Sequence, residues 1–372
     1  MARLHSIRIA GWKSIRDIDP KLELGSINVL IGANGSGKSN FVSFFSMMSE
    51  LVNEQLQAYI GQWGFANSFL HHGSTVTQRI EAELEFDVEV DRYQYTFHLS
   101  WAAPDSLLLT EERVGRQSPD SPTVKSSLID FPPYRESELR EPVRSGNQIA
   151  QAIRPILLQC RVFHFHDTSA TAKIRSSAYI EANHYLYSDG SNLAAMLYLY
   201  QQTKPTVYRR IVATVRDVLP MFDNFVLEPQ RLNPKYILLN WKQTGSEYLF
   251  GPHQLSDGTL RAMALITLFL QPEADLPAVI ILDEPELGLH PHAIEIITGL
   301  IRAASLKTQV ILATQSTTFL DHFDPEEIIV VDFEQGHSIF RRLDSEELKD
   351  WLEDYSVGEL WEKNVLGGGP LP

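Results

Sequence analysis

The sequence predicts an α/β chain: a parallel sheet carrying a phosphate-binding loop, an antiparallel β meander beside it, and an α-rich inserted region. Three observations lead there. Ile27, Val29, Leu30 and Ile31 feed a glycine-rich stretch, 32–37, followed by helically spaced Phe41, Phe44, Phe45, Met48, Leu51 and Val52. Strand, glycine loop, helix is the phosphate-binding order. Ile80, Ala82, Leu84, Phe86, Val88 and Val90 alternate strictly with Glu81, Glu83, Glu85, Asp87 and Glu89, the period of a half-buried strand. Residues 279–282 and 310–313 are short aliphatic runs bounded by turn signals, the pattern of a parallel sheet covered on both faces.

The remaining elements follow in chain order. Leu4, Ile7 and Ile9, then 12–15, supply opening strands, and a helix is expected over 40–60. After a two-residue break at Asp91 and Arg92, Tyr93, Tyr95, Phe97, Leu99 and Trp101 form the second strand of the meander, and 107–114 the third. Its five carboxylates read as a solvated face, since period 2 alone explains them. The Ser- and Pro-rich 117–133 reads as an exposed, mobile connector. Helices are expected at 148–158, 192–201 and 205–219, and a hairpin-like pair at 236–241 and 247–250 around Gln243-Thr244-Gly245-Ser246. A buried helix at 260–270, an acidic amphipathic helix at 345–355 and a loose stretch at 367–369 complete the chain.

Composition excludes several classes. With 372 residues, 44% hydrophobic and 21% charged, the chain is an ordinary globular mix of one large or two medium domains. A net charge of −15 gives no general attraction to nucleic acid, so such binding needs a local basic patch or a partner. The most apolar stretch, 262–270, is too short to span a bilayer, so no membrane association is expected. Arg3, His5 and Arg8 interrupt the apolar residues where a secretion signal would lie, and Cys160 has no second cysteine to pair with. The reducing cytoplasm is the expected compartment.

The chemistry lies in three motifs. Gly32-Ala33-Asn34-Gly35-Ser36-Gly37-Lys38-Ser39 matches G-x-x-x-x-G-K-[ST] in full. Its glycines let backbone N–H groups converge on phosphate oxygens, Lys38 can bridge the β and γ phosphates, and the Ser39 hydroxyl can ligate Mg²⁺. The aliphatic run before Asp283 and Glu284 ends in two carboxylates. Asp283 is placed to face the Mg²⁺ through water, and Glu284 to polarise the water attacking the γ phosphate. Leu255-Ser256-Asp257-Gly258 precedes the apolar helix. Ser256 is a good N-cap, and with the Gly258 amide it makes a second anion site, which suggests a nucleotide held between two subunits.

In this order, followed by Pro285-Glu286-Leu287-Gly288-Leu289-His290-Pro291 and Thr314-Gln315-Ser316, the motifs resemble the ABC-type ATPase superfamily. Within it the chain resembles the stand-alone AAA_21 ATPases similar to RecF, SMC and OLD proteins. The opening Ile9-Ala10-Gly11-Trp12-Lys13-Ser14-Ile15 also looks like that group's first strand, where the residues near Trp12 and Lys13 lie beside the nucleotide. The resemblance implies a P-loop NTPase of ABC-ATPase type, with the antiparallel meander in lobe I and the α-rich insertion between lobes. Its divisions would be an N-terminal lobe at 1–115, the inserted region at 116–250, a C-terminal lobe with signature, Walker B and switch at 251–340, and a tail at 341–372. It implies ATP and Mg²⁺ as ligands and a head-to-head homodimer. Each ATP would lie between Gly32, Asn34, Gly35, Ser36, Gly37, Lys38, Ser39 and Asn40, with Asp283 and Glu284, of one chain and Ser256 and Gly258 of the other. Residues 287–290 would communicate across the interface.

Three departures stand out. Asp257 occupies a usual glycine position, and an anionic side chain beside a γ phosphate must point away or be paired. Gln315 stands where a switch His is common; it can donate a hydrogen bond but not change charge, which suggests slow turnover. The lobe-joining Gln has three candidates, Gln148, Gln151 and Gln159, and the sequence does not choose among them.

His164 and His166 share a strand face as an alternative metal pair, but no further ligands announce themselves, and packing beside Phe163 and Phe165 is the simpler reading. Arg135, Arg140, Arg144, Arg154, Arg161, Lys173 and Arg175 give the middle region a basic bias interleaved with glutamates, so nucleic-acid contact is conceivable. The whole reads as an ATPase whose dimer gates action on DNA or on a partner effector, such as a nuclease or toxin, in DNA repair or anti-phage defence. The alternative is the nucleotide-binding subunit of an ABC transporter. Ser256 comes more than two hundred positions after Lys38, too long an insertion for a compact coupling subunit.

Overall fold

The computed structural model describes residues 2–119, 121–128, 133–144 and 146–368. It divides into two compact units: residues 1–162, 277–281 and 308–372 form one, and 163–276 with 282–307 the other.

The first unit holds two sheets. One is antiparallel, in the order Ile15–Asp17, Ala2–Trp12, Arg79–Val88, Asp91–Ala102, Ser106–Ser118 and Ser121–Leu128, with Leu22–Glu23 also pairing to Ala2–Trp12. The other runs His337–Arg342, Ile328–Glu334, Ile27–Ile31, Gln309–Thr314, Val279–Asp283 and Cys160–Phe163. Ile27–Ile31 lies parallel to both Gln309–Thr314 and Ile328–Glu334 and is buried throughout, as a central strand should be. The helix Lys38–Val52 shares a core with both sheets: Phe41, Phe44, Phe45, Met48 and Leu51 are buried with Ile7, Leu84 and Phe97 of one and Ile311 and Ile329 of the other. Phe44 stacks on Phe97 at 6.1 Å.

The expected helix over 40–60 is two helices, Lys38–Val52 and Leu56–Gln62. Glu136 causes the break. Its carboxylate accepts the Leu56 and Gln57 amides at 2.6 and 3.0 Å, capping a new N-terminus, while Glu54 turns the chain at φ 63°. The meander is present, but its first turn sits at Glu89–Val90 rather than 91–92. Glu89 adopts φ 56° and Val90 is 75% exposed. The acidic face is also less open than its period suggests. Arg8 pairs with Asp17 at 2.7 Å and Glu81 at 3.4 Å, Lys21 with Glu85 at 2.7 Å and with Glu83, and Arg92 with Asp87 at 2.8 Å. Part of the expected connector is a strand, Ser121–Leu128, whose partner is Ser106–Ser118; positions 120 and 129–132 lie outside the described residues.

The second unit is built on the helices Leu193–Thr203, Pro205–Val218, Asp257–Phe269 and Pro291–Ser305. Asp257–Phe269 is buried from Leu260 onward, and Thr267 in its middle is satisfied by the Met263 carbonyl at 2.8 Å. The hairpin is narrower than expected: Asn240–Gln243 pairs with Leu249–Phe250, whereas Asn233–Ile237 pairs with Ala178–Tyr179 and Pro229–Gln230. Among the described residues no helix is long and apolar enough to cross a membrane.

One buried amide ties the two sheets of the first unit together. The Gln309 side chain is fully buried, accepts the Leu4 N–H at 2.8 Å and donates to the carbonyls of Leu4 at 2.9 Å and Gly25 at 2.7 Å. Gln309→Leu removes all three bonds, the Gly25 carbonyl keeping only the Asn28 amide at 2.9 Å, and is expected to lower stability by about 3 kcal/mol. Urea unfolding measures it; a loss within about 0.5 kcal/mol, the scale of a surface substitution, would reject the tie.

Candidate functional site

The expected site residues fall into two groups, one in each unit. In the first, Ile27–Ile31 enters the loop 32–37 and the helix that begins at Lys38. Gly32 and Gly37 are glycines for steric reasons. A side chain on Gly32 would collide with the Val331 carbonyl, and one on Gly37, at φ 113°, with the Ser338 and Ser14 hydroxyls. Asn34 and Gly35 are exposed at the loop's crest, and Ser39, the second residue of the helix, is exposed as well. Lys38 is 5% exposed, its ammonium donating to the carbonyls of Gly32 at 2.6 Å and Ala33 at 3.0 Å. Ser36 is 3% exposed and its Oγ is buried with no hydrogen-bond partner. An orphaned buried hydroxyl inside a glycine cradle suits an anionic ligand.

Neighbouring strands brace this loop. The Ser338 hydroxyl lies 2.6 Å from the Ser36 carbonyl and 2.7 Å from Ser14 Oγ, which also accepts from the Asn40 amide at 2.7 Å. The Asn40 side chain is therefore engaged with Ser14. Its carbonyl accepts the Trp12 indole N–H at 2.7 Å. Lys13, at φ 45°, donates to Ser43 Oγ at 2.9 Å and lies 5.0 Å from the Trp12 ring centre and 5.5 Å from that of Phe69. Burial pulls its pKa down to about 8. Gln315 follows Gln309–Thr314, half-buried, immediately before Ser316, whose hydroxyl caps the short helix Thr317–Leu320.

In the second unit, Ser256 is the N-cap of Asp257–Phe269; its exposed hydroxyl accepts the Thr259 amide at 3.1 Å. Asp257 is paired, as its position demanded. Arg175, 4% exposed, reaches it at 2.7 Å and also donates to the carbonyls of Thr168 at 2.7 Å, Leu255 at 3.1 Å and Pro252. A side chain on Gly258 would collide with the Gly288 carbonyl, so the two motifs 255–258 and 285–291 pack backbone to backbone. Asp283 ends its strand half-buried, with Oδ1 buried and unpartnered. Glu284 adopts φ 42°, a left-handed conformation that costs a branchless acid about 1 kcal/mol. Arg261 is 5% exposed and donates to the carbonyls of Phe165 at 3.0 Å and His166 at 3.2 Å. Burial lowers its pKa, opposed by the carboxylates of Asp257, Glu286 and Glu284.

His164 and His166 sit 6.2 Å apart, and among the described residues no group of three or more His, Cys, Asp or Glu could hold a metal ion. Gln148 and Gln151 lie on the helix Gln148–Leu158, the latter donating to the Val143 carbonyl at 3.2 Å. Gln159 caps that helix, and its carbonyl accepts the Val279 amide at 3.1 Å. Ser14, Ser338, Arg175 and Arg261 are supporting residues that motif spacing misses. Only Arg261 leaves a signal, as the one basic residue in a largely apolar helix.

The family model described as "AAA domain, putative AbiEii toxin, Type IV TA system" matches residues 27–321. The chain belongs to the AAA_21 family. No curated protein matches the sequence. Solved structures similar to this AAA_21 chain include SMC heads. An SMC head bound to the C-winged helix domain of ScpA is 15% identical, with a TM-score of 0.60 over 93% of this chain and 99% of that one. The Pyrococcus furiosus SMC head domain with an extended coiled coil, bound to the C-terminal domain of ScpA, is 16% identical, with a TM-score of 0.57 over 95% and 99%. The Pyrococcus yayanosii SMC head domain with a coiled coil and joint is 12% identical, with a TM-score of 0.53 over 95% and 99%. At such identities the likeness is one of fold: the ABC-ATPase P-loop fold of SMC heads.

Lys13 gives this AAA_21 protein a pH signature. A lysine whose folded pKa is lowered destabilises the fold while charged, and the penalty is relieved as pH rises from about 8 to the ordinary 10.5. Without nucleotide, Lys13→Met is expected to gain stability over the parent at pH 7, and that advantage to shrink by up to about 3 kcal/mol by pH 10.5. Urea unfolding of both proteins at the two pH values measures the difference; a pH-independent advantage would contradict it.

Proposed function

We propose that this chain binds ATP with Mg²⁺ at 32–40 and hydrolyses it slowly to ADP and phosphate. The observation that carries the reading is the Lys38 ammonium, buried and held by the Gly32 and Ala33 carbonyls beneath a cradle too tight at Gly32 and Gly37 for any side chain. A buried ammonium held by neutral carbonyls at the mouth of a glycine loop is suited to receive an anion. The amides of Gly35, Ser36 and Gly37 would hold phosphate oxygens, with the orphaned Ser36 hydroxyl available as a further donor. Ser39 and Asp283 would hold Mg²⁺, and the buried, unpartnered Asp283 Oδ1 fits an acceptor meant for a cation or its water. When bound, the ion would neutralise charge on the phosphates.

Glu284 accepts the proton of the attacking water, and Gln315 donates a hydrogen bond to the γ phosphate. A glutamine cannot take up charge near neutral pH, which keeps turnover slow. Exposed Ser256 and the Gly258 amide face a second copy, whose ATP they complete, so that ATP joins a homodimer. Family membership and the SMC-head fold support an ATP-dependent machine. Its output is then action on DNA or on a partner effector, in DNA repair or defence against phage.

Two substitutions test the reading. Lys38→Ala is expected to abolish the rise in melting temperature that ATP produces; an undiminished rise would mean the loop is not the cradle. Glu284→Gln is expected to lower phosphate release by about a hundredfold or more while accumulating an ATP-bound dimer in light scattering. Parental turnover in that variant would remove Glu284 from its role.

A further inference from the structure

The stretch 367–369 reads as loose in the sequence, yet its two described residues are held. Leu366 is 2% exposed and its carbonyl accepts the Arg341 guanidinium at 2.6 Å. Gly368 is buried, donates its N–H to Asp332 Oδ1 at 2.5 Å, and with its carbonyl accepts the Ala33 N–H at 2.6 Å. Gly367 and Gly368 adopt φ 76° and 72°, and a side chain on Gly368 would meet Val330 Cγ1 at 2.8 Å. Only glycine fits there without strain.

The bond to Ala33 matters because of where it falls. The Ala33 N–H and the Gly32 C=O belong to one peptide group, and that group is planar. Its N–H is fastened to Gly368 while its oxygen receives the Lys38 ammonium at 2.6 Å. Fixing one edge of the plane fixes the other, so the resting position of the Lys38 ammonium is set through Gly368. The same segment is anchored further back: the Gly358 N–H donates to Asp321 Oδ1 at 2.7 Å, and Gly358 packs so closely on the Thr317 carbonyl that a side chain would lie 2.7 Å from it. Thr317 opens the short helix two residues after Gln315.

We propose that residues 357–368 form a clasp that holds the phosphate loop in its ligand-ready shape, with Gly368, Asp332 and Arg341 as positioning residues for nucleotide binding. The proposal rests on the reading of 32–40 as an ATP cradle. Docking of the clasp orients the Gly32–Ala33 peptide; its release lets that peptide rotate and takes the lysine acceptor with it. Because the clasp also grips the helix behind Gln315, a shift at that helix reaches the loop along this chain's own backbone.

The test uses the full chain and three variants, Gly368→Val, Asp332→Ala and the milder Arg341→Met. Hydrogen exchange in peptides covering 30–36 is read without nucleotide, and ATP affinity by calorimetry. Gly368→Val is expected to speed exchange at the Ala33 amide and weaken ATP binding about tenfold, the worth of one well-placed hydrogen bond. Arg341→Met is expected to move both readouts in the same direction by less, with the melting temperature of the nucleotide-free protein near that of the parent. Unchanged exchange at 30–36 in Gly368→Val and Asp332→Ala would overturn the clasp. Faster exchange with unchanged ATP affinity would overturn its control over the ligand. If the parent chain does not bind ATP at all, the cradle reading falls, and the exchange measurement still decides whether the clasp exists.

Discussion

Two backbones meet at Gly32 more closely than any side chain would allow. The Val331 carbonyl occupies the space a Cβ would need, so the phosphate loop can leave Ile27–Ile31 only in the direction it takes. The bracing by Ser338 and Ser14, the burial of Lys38 and the start of Lys38–Val52 all follow from that exit. The parallel pairing of Ile27–Ile31 with Ile328–Glu334 puts the Val331 carbonyl where it is. Loop geometry is thus a property of strand pairing, and the glycine is its local expression.

The second unit repeats the device with different partners. Gly258 packs against the Gly288 carbonyl, and Arg175 fastens Asp257 and the two carbonyls beside it. An aspartate at that position is tolerable because a buried guanidinium already owns it, leaving Ser256 exposed at the helix N-terminus. Arg261 does for the segment after Cys160–Phe163 what Arg175 does for the one before the helix. Each buried cation here spends its donors on main-chain carbonyls, which fixes loop shape more firmly than an ion pair at the surface could.

How much of this is legible in the sequence depends on the distance between cause and effect. The meander and the glycine loop are local patterns and stand where period and spacing put them. The turn at Glu89–Val90 escapes because alternation continues through it, and only the positive φ of Glu89 marks the reversal. The break after Val52 escapes because its cause, Glu136, lies 80 positions away from Leu56. The partner of Asp257 lies 82 positions away at Arg175, and no spacing rule connects them. The strand Ser121–Leu128 is polar and carries no apolar alternation, so its pairing with Ser106–Ser118 is invisible until the sheet is assembled. Gly367 and Gly368 mislead for the opposite reason: glycines in a row suggest slack, and here they permit a close fit.

The left-handed backbone at Glu284 has an evolutionary corollary. Asparagine or glycine would sit there with less conformational penalty, so drift toward a sturdier chain runs directly against keeping the carboxylate. Under the role proposed for Glu284, lineages released from the need for turnover would be expected to relax at this position first, and its identity in a relative would then be a compact indicator of whether selection still maintains the reaction.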